Sequence, residues 1–322
     1  MTRLITLLCV WLCAMAAVVT ADPAQATTFQ TTYVSNSGND TFNCATPATA
    51  CRDFQTALAN TANYGEIDCV NAGAYQGAFV ITQSVTIDCA GGVGSSIGVF
   101  MIEGDGIVVR LRNISFNGEG GGNFAIDAQN MAALYVENCV ITNYNAVNAA
   151  NPPYLGIKFE PSANAQLFVA NSVISDNGKS GSGISGGIYI VPSSGVTVTV
   201  SIDHSQINGN VFGLVGDGRS GGAVKGTISD SVVSGNTENG ITALSSGSSV
   251  VLLTDQTKVT NNSAAGLFVS GSNAGILARN STVYGNAIGL DAVGGGALFT
   301  YGNNSVNGNA TNGAFTGTAG LQ

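Results

Sequence analysis

Short bursts of alternating apolar and polar residues run along most of this chain, and the bursts recur. Asn138-Cys-Val-Ile141-Thr-Asn143 is followed by Asn171-Ser-Val-Ile174-Ser-Asp-Asn177 and His204-Ser-Gln-Ile207-Asn-Gly-Asn210. Asp230-Ser-Val-Val233-Ser-Gly-Asn236, Lys258-Val259-Thr-Asn-Asn262, Asn280-Ser-Thr-Val283-Tyr-Gly-Asn286 and Asn303-Asn-Ser-Val306-Asn-Gly-Asn309 continue the series. The anchors Ile141, Ile174, Ile207, Val233, Val259, Val283 and Val306 step by 33, 33, 26, 26, 24 and 23 residues. A second element follows each: Gly156-Ile157, Gly187-Ile188, Gly213-Leu214, Gly240-Ile241, Gly266-Leu267 and Gly289-Leu290. Upstream, Ile67-Asp-Cys69, Ile87-Asp-Cys89, Val108 to Phe116 and Phe124 to Ile126 extend the pattern. Alternating Val, Ile, Thr and Tyr broken by Gly, Asn and Ser predicts short strands and turns. The spacing leaves no room for crossover helices, so the strands read as a coil, with two or three parallel strands per turn. At about 4.8 Å per coil, roughly ten coils make a cylinder on the order of 50 Å long.

The columns of this coil have physical roles. Asn143, Asn177, Asn210, Asn236, Asn262, Asn286 and Asn309 are expected at a turn, where Asn tolerates the left-handed conformation. Their amides can bond from coil to coil at about 1 kcal/mol net each. If Ile141 points inward, alternation turns Cys139 inward as well, with Ser172, Ser205, Ser231 and Ser281 as column-mates. Cys139 then reads as a small buried stack member rather than a reactive thiol. Open strand edges at the coil ends need cover. Residues 52–62 carry apolar positions at helical spacing and are expected to close the N-terminal end as a short helix. The tail after Asn309 is expected to finish the other end.

The N-terminus reads as a signal peptide over residues 1–26. Arg3 precedes a largely apolar run from Leu4 to Val19, and Ala24-Gln25-Ala26 suits cleavage. A retained anchor is the alternative, but the run is short for a ~20-residue span. Residues 27–64 form an extension with the capping helix, and 65–322 the coil. Cleavage predicts a secreted, periplasmic or cell-surface protein with no stable membrane insertion. It also removes Trp11, Cys9 and Cys13. Cys44 and Cys51 flank a short loop and are expected to pair. Cys69 and Cys89 come within bridging reach if their Ile-Asp-Cys triplets stack on neighbouring strands. One His and no Cys-x-x-Cys pair argue against a metal site.

The Asn column, the aliphatic stacks and the 23-to-33 spacing resemble the right-handed parallel β-helix repeat proteins of the pectate-lyase-like superfamily, over about residues 65 to 315. Tyr33 to Asp88 is similar to the opening of exported bacterial β-helix proteins. The resemblance implies an all-β, right-handed parallel β-helix with an N-terminal capping helix. It leaves activity open, because this architecture hosts lyases, hydrolases, esterases, epimerases and non-catalytic surface proteins. Val200-Ser-Ile-Asp203-His204 resembles the Trp-Ile-Asp-His segment of pectate lyases, in which the Asp binds calcium. The Trp is missing, and no Arg is followed two residues later by Pro. His204 also shares the repeat position of Asn138, Asn171, Asp230 and Asn280, so it reads as an outward strand-end residue. The polygalacturonase motifs are absent, and Gly73-Ala-Tyr75-Gln-Gly77 lacks the Glu of the pectin methylesterase opening.

The candidate surface comes from alternation in the Gly-Ile/Leu strands. With Ile157 and Phe159 inward, Lys158 and Glu160 face outward, and the same register exposes Tyr189, Val215, Asp217, Thr242, Phe268 and Asp291. The resemblance implies that such a face lines the groove. The loops after Ile141 and Ile174 are the longest, the first holding Tyr144, Pro152, Pro153 and Tyr154, and long loops on a rigid scaffold are where binding usually sits. The candidate ligand-binding residues are Lys158, Glu160, Tyr189, Asp217, Arg219 and Phe268, which offer ring faces and hydrogen bonds to a sugar chain. Asp68 and Asp88 are expected to stack outward on successive coils. Two such charges repel unless a proton or a cation such as Ca²⁺ intervenes. The plainer reading is a solvated column, with no cofactor.

Composition narrows the ligand. The chain has 322 residues, 44 Gly and 9% charged residues, against an average near 7% Gly and about 25% charge. With 44% hydrophobic residues it is not disordered, and its Gly has no collagen period. A net charge of −9 argues against nucleic acid and anionic membranes. It also repels a polyanion such as pectate unless calcium bridges it. The leading reading is an exported, non-catalytic protein that binds extracellular or cell-surface polysaccharide. The alternatives are a polysaccharide lyase or glycoside hydrolase with a divergent site, built on Lys158, Glu160, Asp203, Asp217 and Arg219, and a self-associating structural protein. No pattern sets an oligomeric state.

Overall fold

The computed structural model describes residues 28–75, 77–90, 94–96, 98–145 and 153–320. The expected signal peptide, with Trp11, Cys9 and Cys13, lies outside them, as does Pro152 of the expected binding loop. Each turn of the chain lays one strand in each of three parallel sheets. Among the described residues the first sheet has 12 strands, the second 10 and the third 9, in agreement with about ten coils. The second sheet stacks Phe116, Ile141, Ile174, Ile207, Val233, Val259, Val283 and Val306 in one row. The third stacks Ile126, Ile157, Ile188, Leu214, Ile241, Leu267 and Leu290. All but Val306 are buried, so the two aliphatic columns of the sequence form the core.

Two turn columns set the coil. Between the first and second sheets one left-handed residue reverses the chain: Asn138, Asn171, His204, Asp230, Gln256 and Asn280, with φ from 45° to 54°. Asn, Asp and His enter this region more readily than other residues with a Cβ. Between the second and third sheets the left-handed residue is Asn143, Asp176, Gly209, Gly235, Asn261, Gly285 or Gly308.

This corrects two details of the Asn column. From Asn177 to Asn309 the left-handed residue is the one before each column Asn, and the Asn itself turns its amide inward. Asn143 belongs one position earlier, because Thr142 pairs with Ser175 and Tyr144 therefore takes the place of the ladder Asn. The extra side-chain volume is absorbed by burying Tyr144, whose hydroxyl donates to Gly98 O at 3.1 Å.

The inward amides form a continuous ladder. Asn177 Nδ2 donates to Asn210 Oδ1 at 3.0 Å and to Ile141 O at 3.1 Å, while Asn177 N donates to the same Asn210 oxygen at 3.0 Å. The pattern repeats through Asn236, Asn262, Asn286 and Asn309, and Asn312 Oδ1 accepts the last pair. From Asn210 on, each amide oxygen takes two donors, and every NH2 of the ladder gives at least two bonds, so these groups are satisfied. Cys139 heads a parallel ladder, in which Cys139 N donates to Ser172 Oγ at 3.1 Å, Ser172 N to Ser205 Oγ at 3.2 Å and Ser205 N to Ser231 Oγ at 3.1 Å. Burial pushes the Cys139 thiol up to about 12, which leaves it a stack member.

The ends are closed differently. The expected helix spans Phe54–Asn60, with Asp53 accepting from Thr56 N at its N-terminus. Phe54 packs on Tyr75, Phe79 and Phe100 with centroids 5.1 to 5.3 Å apart. Gln55 donates from Nε2 to Val80 O and accepts at Oε1 from Val80 N, so a side-chain amide covers the exposed edge of the third sheet. The strand Phe29–Val34 adds to the first sheet outside Thr61–Cys69. At the far end, Gly289 N donates to Thr311 O and Gly317–Thr318 pairs with Ala297–Thr300. Cys44 pairs with Cys51, and Cys69 with Cys89 on adjacent strands.

Candidate functional site

The outer face of the third sheet carries one row along the coil axis. Register places Asp127, Lys158, Tyr189, Val215, Thr242, Phe268 and Asp291 side by side. Ile157 and Phe159 are buried beneath, as alternation requires. The row is less open than the sequence suggests. Val215, Thr242 and Asp217 are only 1%, 2% and 2% exposed. Val215 and Thr242 sit between the larger Tyr189 and Phe268, and Asp217 lies under its own hydrogen-bond partners. Period-2 alternation gives the direction of a side chain, not the cover its neighbours provide.

Two polar clusters organise the row. Lys158 Nζ contacts Glu160 Oε1 and lies 3.7 Å from Asp127 Oδ1, with the Phe124 ring centroid 5.5 Å away. Asp127 is 5% exposed, and its Oδ1 has no hydrogen-bond partner among the described residues. In the second cluster Arg219 donates through Nε and Nη2 to the two oxygens of Asp217, at 2.9 and 2.7 Å. Tyr189 Oη adds a donor to Asp217 at 2.9 Å. Burial pushes the Asp217 carboxyl up, but the bonds from Arg219 and Tyr189 outweigh it and hold the group below the usual carboxylate range. Burial, with the Asp217 charge behind it, raises the Tyr189 hydroxyl.

A cleft of about 340 Å³ opens beside this second cluster, lined by Pro153, Ser182, Ile184, Tyr189 and Arg219. The loops after Ile141 and Ile174 supply its wall through Pro153, Ser182 and Ile184. Of the predicted residues, Lys158 and Glu160 fall in one cluster and Tyr189, Asp217 and Arg219 in the other. Phe268 stands in the same row beyond Thr242, outside the cleft lining. Asp127 joins the row without being among the predicted residues, although Ala125-Ile126-Asp127 repeats Gly156-Ile157-Lys158 with Ala in the Gly place.

Asp203, His204 and Asp230 bring ligand atoms within 4.8 Å of one another at the ends of adjacent coils. Asp203 already accepts from Ser229 Oγ at 2.7 Å and faces His204 Nδ1 at 2.7 Å. Calcium takes six to eight oxygens, so two carboxylates, one half-buried and one exposed, with an imidazole do not fit that ion. His204 is the outward strand-end residue its repeat position implies.

Asp68 and Asp88 pair in register on the first sheet. Burial lifts the Asp68 carboxyl to about 6, with repulsion from Glu66 and Asp88 adding to it. A proton thus relieves part of the repulsion. In the unfolded chain this group titrates near 3.8, so between about pH 4 and 6 the folded state holds a proton that the unfolded state has lost. Stability therefore falls as pH rises through that window. Asp68→Asn is expected to flatten that part of a pH–melting curve, raising the midpoint above pH ~6 and leaving it unchanged near pH ~4. An unaltered slope would mean Asp68 titrates normally.

No family model matches the chain, and no curated protein matches it. Among solved structures it superposes on the crystal structure of pectate lyase Pel9A with a TM-score of 0.52 and 17% identity, over 85% of this chain and 75% of that one. The chain is a right-handed parallel β-helix. The Escherichia coli protein YbhC is more distant, with a TM-score of 0.36 and 14% identity over 91% of this chain and 79% of that one. For this β-helix the likeness establishes the fold, and activity has to be argued from the site. Among its described residues no helix is long and apolar enough to cross a membrane.

Proposed function

We propose that this β-helix is exported and binds extracellular or cell-surface polysaccharide on the outer face of its third sheet, without cleaving it. The supporting observation is the cleft beside Tyr189 and Arg219, together with the ion pairs that engage the charged groups around it. A glycosidase needs two carboxyls about 5 to 10 Å apart, one of them poised to give a proton. Here Asp127 and Glu160 flank Lys158, and Asp217 accepts three side-chain hydrogen bonds that stabilise its charged form. Such groups are suited to rigid hydrogen bonding. A ring with a fixed hydroxyl beside a planar guanidinium offers a sugar both a stacking face and donors. The two disulfides suit an oxidising compartment.

Tyr189→Ala and Lys158→Ala test this reading in a glycan-retention assay, with circular dichroism checking the fold. Tyr189→Ala is expected to weaken retention about tenfold, roughly 1.4 kcal/mol, and Lys158→Ala by less. Retention unchanged in both variants would remove this face as the site.

A further inference from the structure

The charge pattern around the cleft goes further than the class of ligand. Building on the reading above, we infer that the third-sheet cleft takes an uncharged glycan and discriminates against both polyuronates and cationic sugars. A polyanion is captured by cations whose charge is left uncompensated at the surface. Both cations of this row are compensated. Arg219 forks onto Asp217, and Lys158 lies between Asp127 and Glu160. Every cation of the row is thus paired with a carboxylate beside it, so a polyuronate finds no uncompensated positive charge there. Lys179, on the loop beside the cleft, lies against the Tyr154 ring with its Nζ 5.8 Å from the centroid.

A cationic sugar is disfavoured for a different reason. The carboxylates beside the cleft are already engaged: Asp217 is 2% exposed beneath Arg219 and Tyr189, Asp127 is 5% exposed beside Lys158, and Glu160 contacts the same Lys158. Taking a second cation would mean breaking these pairs. What the cleft presents instead is uncharged or neutralised. Pro153 and Ile184 supply apolar walls, Tyr189 a ring, Ser182 a hydroxyl, and the Asp217–Arg219 pair a planar set of donors and acceptors. A neutral hexose unit has apolar C–H faces and hydroxyls that both donate and accept, and it matches that set without adding charge.

The test is electrophoresis of the mature protein through gels containing mixed-linkage β-glucan, glucomannan, polygalacturonate or chitosan, at low and high salt with a chelator present. The expected result is retardation by a neutral glycan that salt leaves unchanged. The loop variants Ile184→Ala and Ser182→Ala should each weaken it about three- to tenfold. These side chains lie outside the core and its ladders, so the fold is retained. Retardation by polygalacturonate or chitosan that high salt abolishes would overturn the inference while leaving a glycan-binding protein. No retardation in any gel would instead overturn the glycan-binding reading itself.

Discussion

Asn236→Ala is expected to cost about 4 kcal/mol of stability. Asn236 Oδ1 accepts from Asn210 N at 3.0 Å and from Asn210 Nδ2 at 3.3 Å, and its own Nδ2 donates to Ile207 O at 3.2 Å and Asn262 Oδ1 at 2.8 Å. Truncation strands two donors on Asn210, which is fully buried. Each orphaned buried group costs about 1 to 3 kcal/mol. Asn236→Asp is a useful companion, because it restores the acceptor, removes both donors and places a charge inside the coil. It should be at least as damaging at neutral pH and should partly recover in acid. Since each coil touches only its neighbours, the damage stays local, and chemical denaturation should split or broaden rather than shift as one step. A loss below about 1 kcal/mol for Asn236→Ala would mean that water replaces the amide and the ladder is decorative.

Gly213→Ala is the second severe change, with an expected cost of about 3 kcal/mol. A Cβ built there meets Gly240 O at 2.4 Å, Val233 Cγ1 at 2.9 Å and Asn236 Nδ2 at 3.0 Å. The carbonyl belongs to the next coil, so relief requires parting two rungs of the third sheet. This explains why Gly precedes the aliphatic residue in repeat after repeat. Gly156, Gly187, Gly240, Gly266 and Gly289 each lie within 2.7 to 3.2 Å, by the same construction, of the Nδ2 of their ladder Asn. The Gly column leaves the space that the Asn column fills. Gly247→Ala is the control: nothing lies within 4 Å of its Cβ position, and a change within about 0.5 kcal/mol is expected. Equal melting temperatures for the two Ala variants would refute the packing argument.

The sequence was informative wherever a property repeats once per coil. The inward rows, the stacked Cys69 and Cys89, the buried Cys139 and the outward Lys158, Glu160 and Tyr189 all follow from period-2 alternation read across aligned repeats. It was less informative where lateral neighbours decide the outcome. Burial of Val215 and Thr242 depends on the side chains one coil above and below. Placement of Asn143 depends on a one-residue shift that only pairing with Ser175 reveals. The stack of Tyr135 on Phe168, 4.5 Å apart and capped by Arg110 at 3.7 Å, has the same character. Those residues lie in strands from successive coils, separated by loops whose lengths differ, and no local pattern aligns them. The cleft depends on two loops folding over the third sheet, which alternation does not encode.

The proposed role of this β-helix is to hold polysaccharide without cutting it. Its most direct test exposes purified mature protein to a polysaccharide panel, with and without Ca²⁺, and follows both retention and product release in the same samples. Retention on at least one glycan is expected, with no new reducing ends and no unsaturated products. Products from any member of the panel would contradict it, and would return Asp203, Asp217 and Lys158 to consideration as catalytic groups.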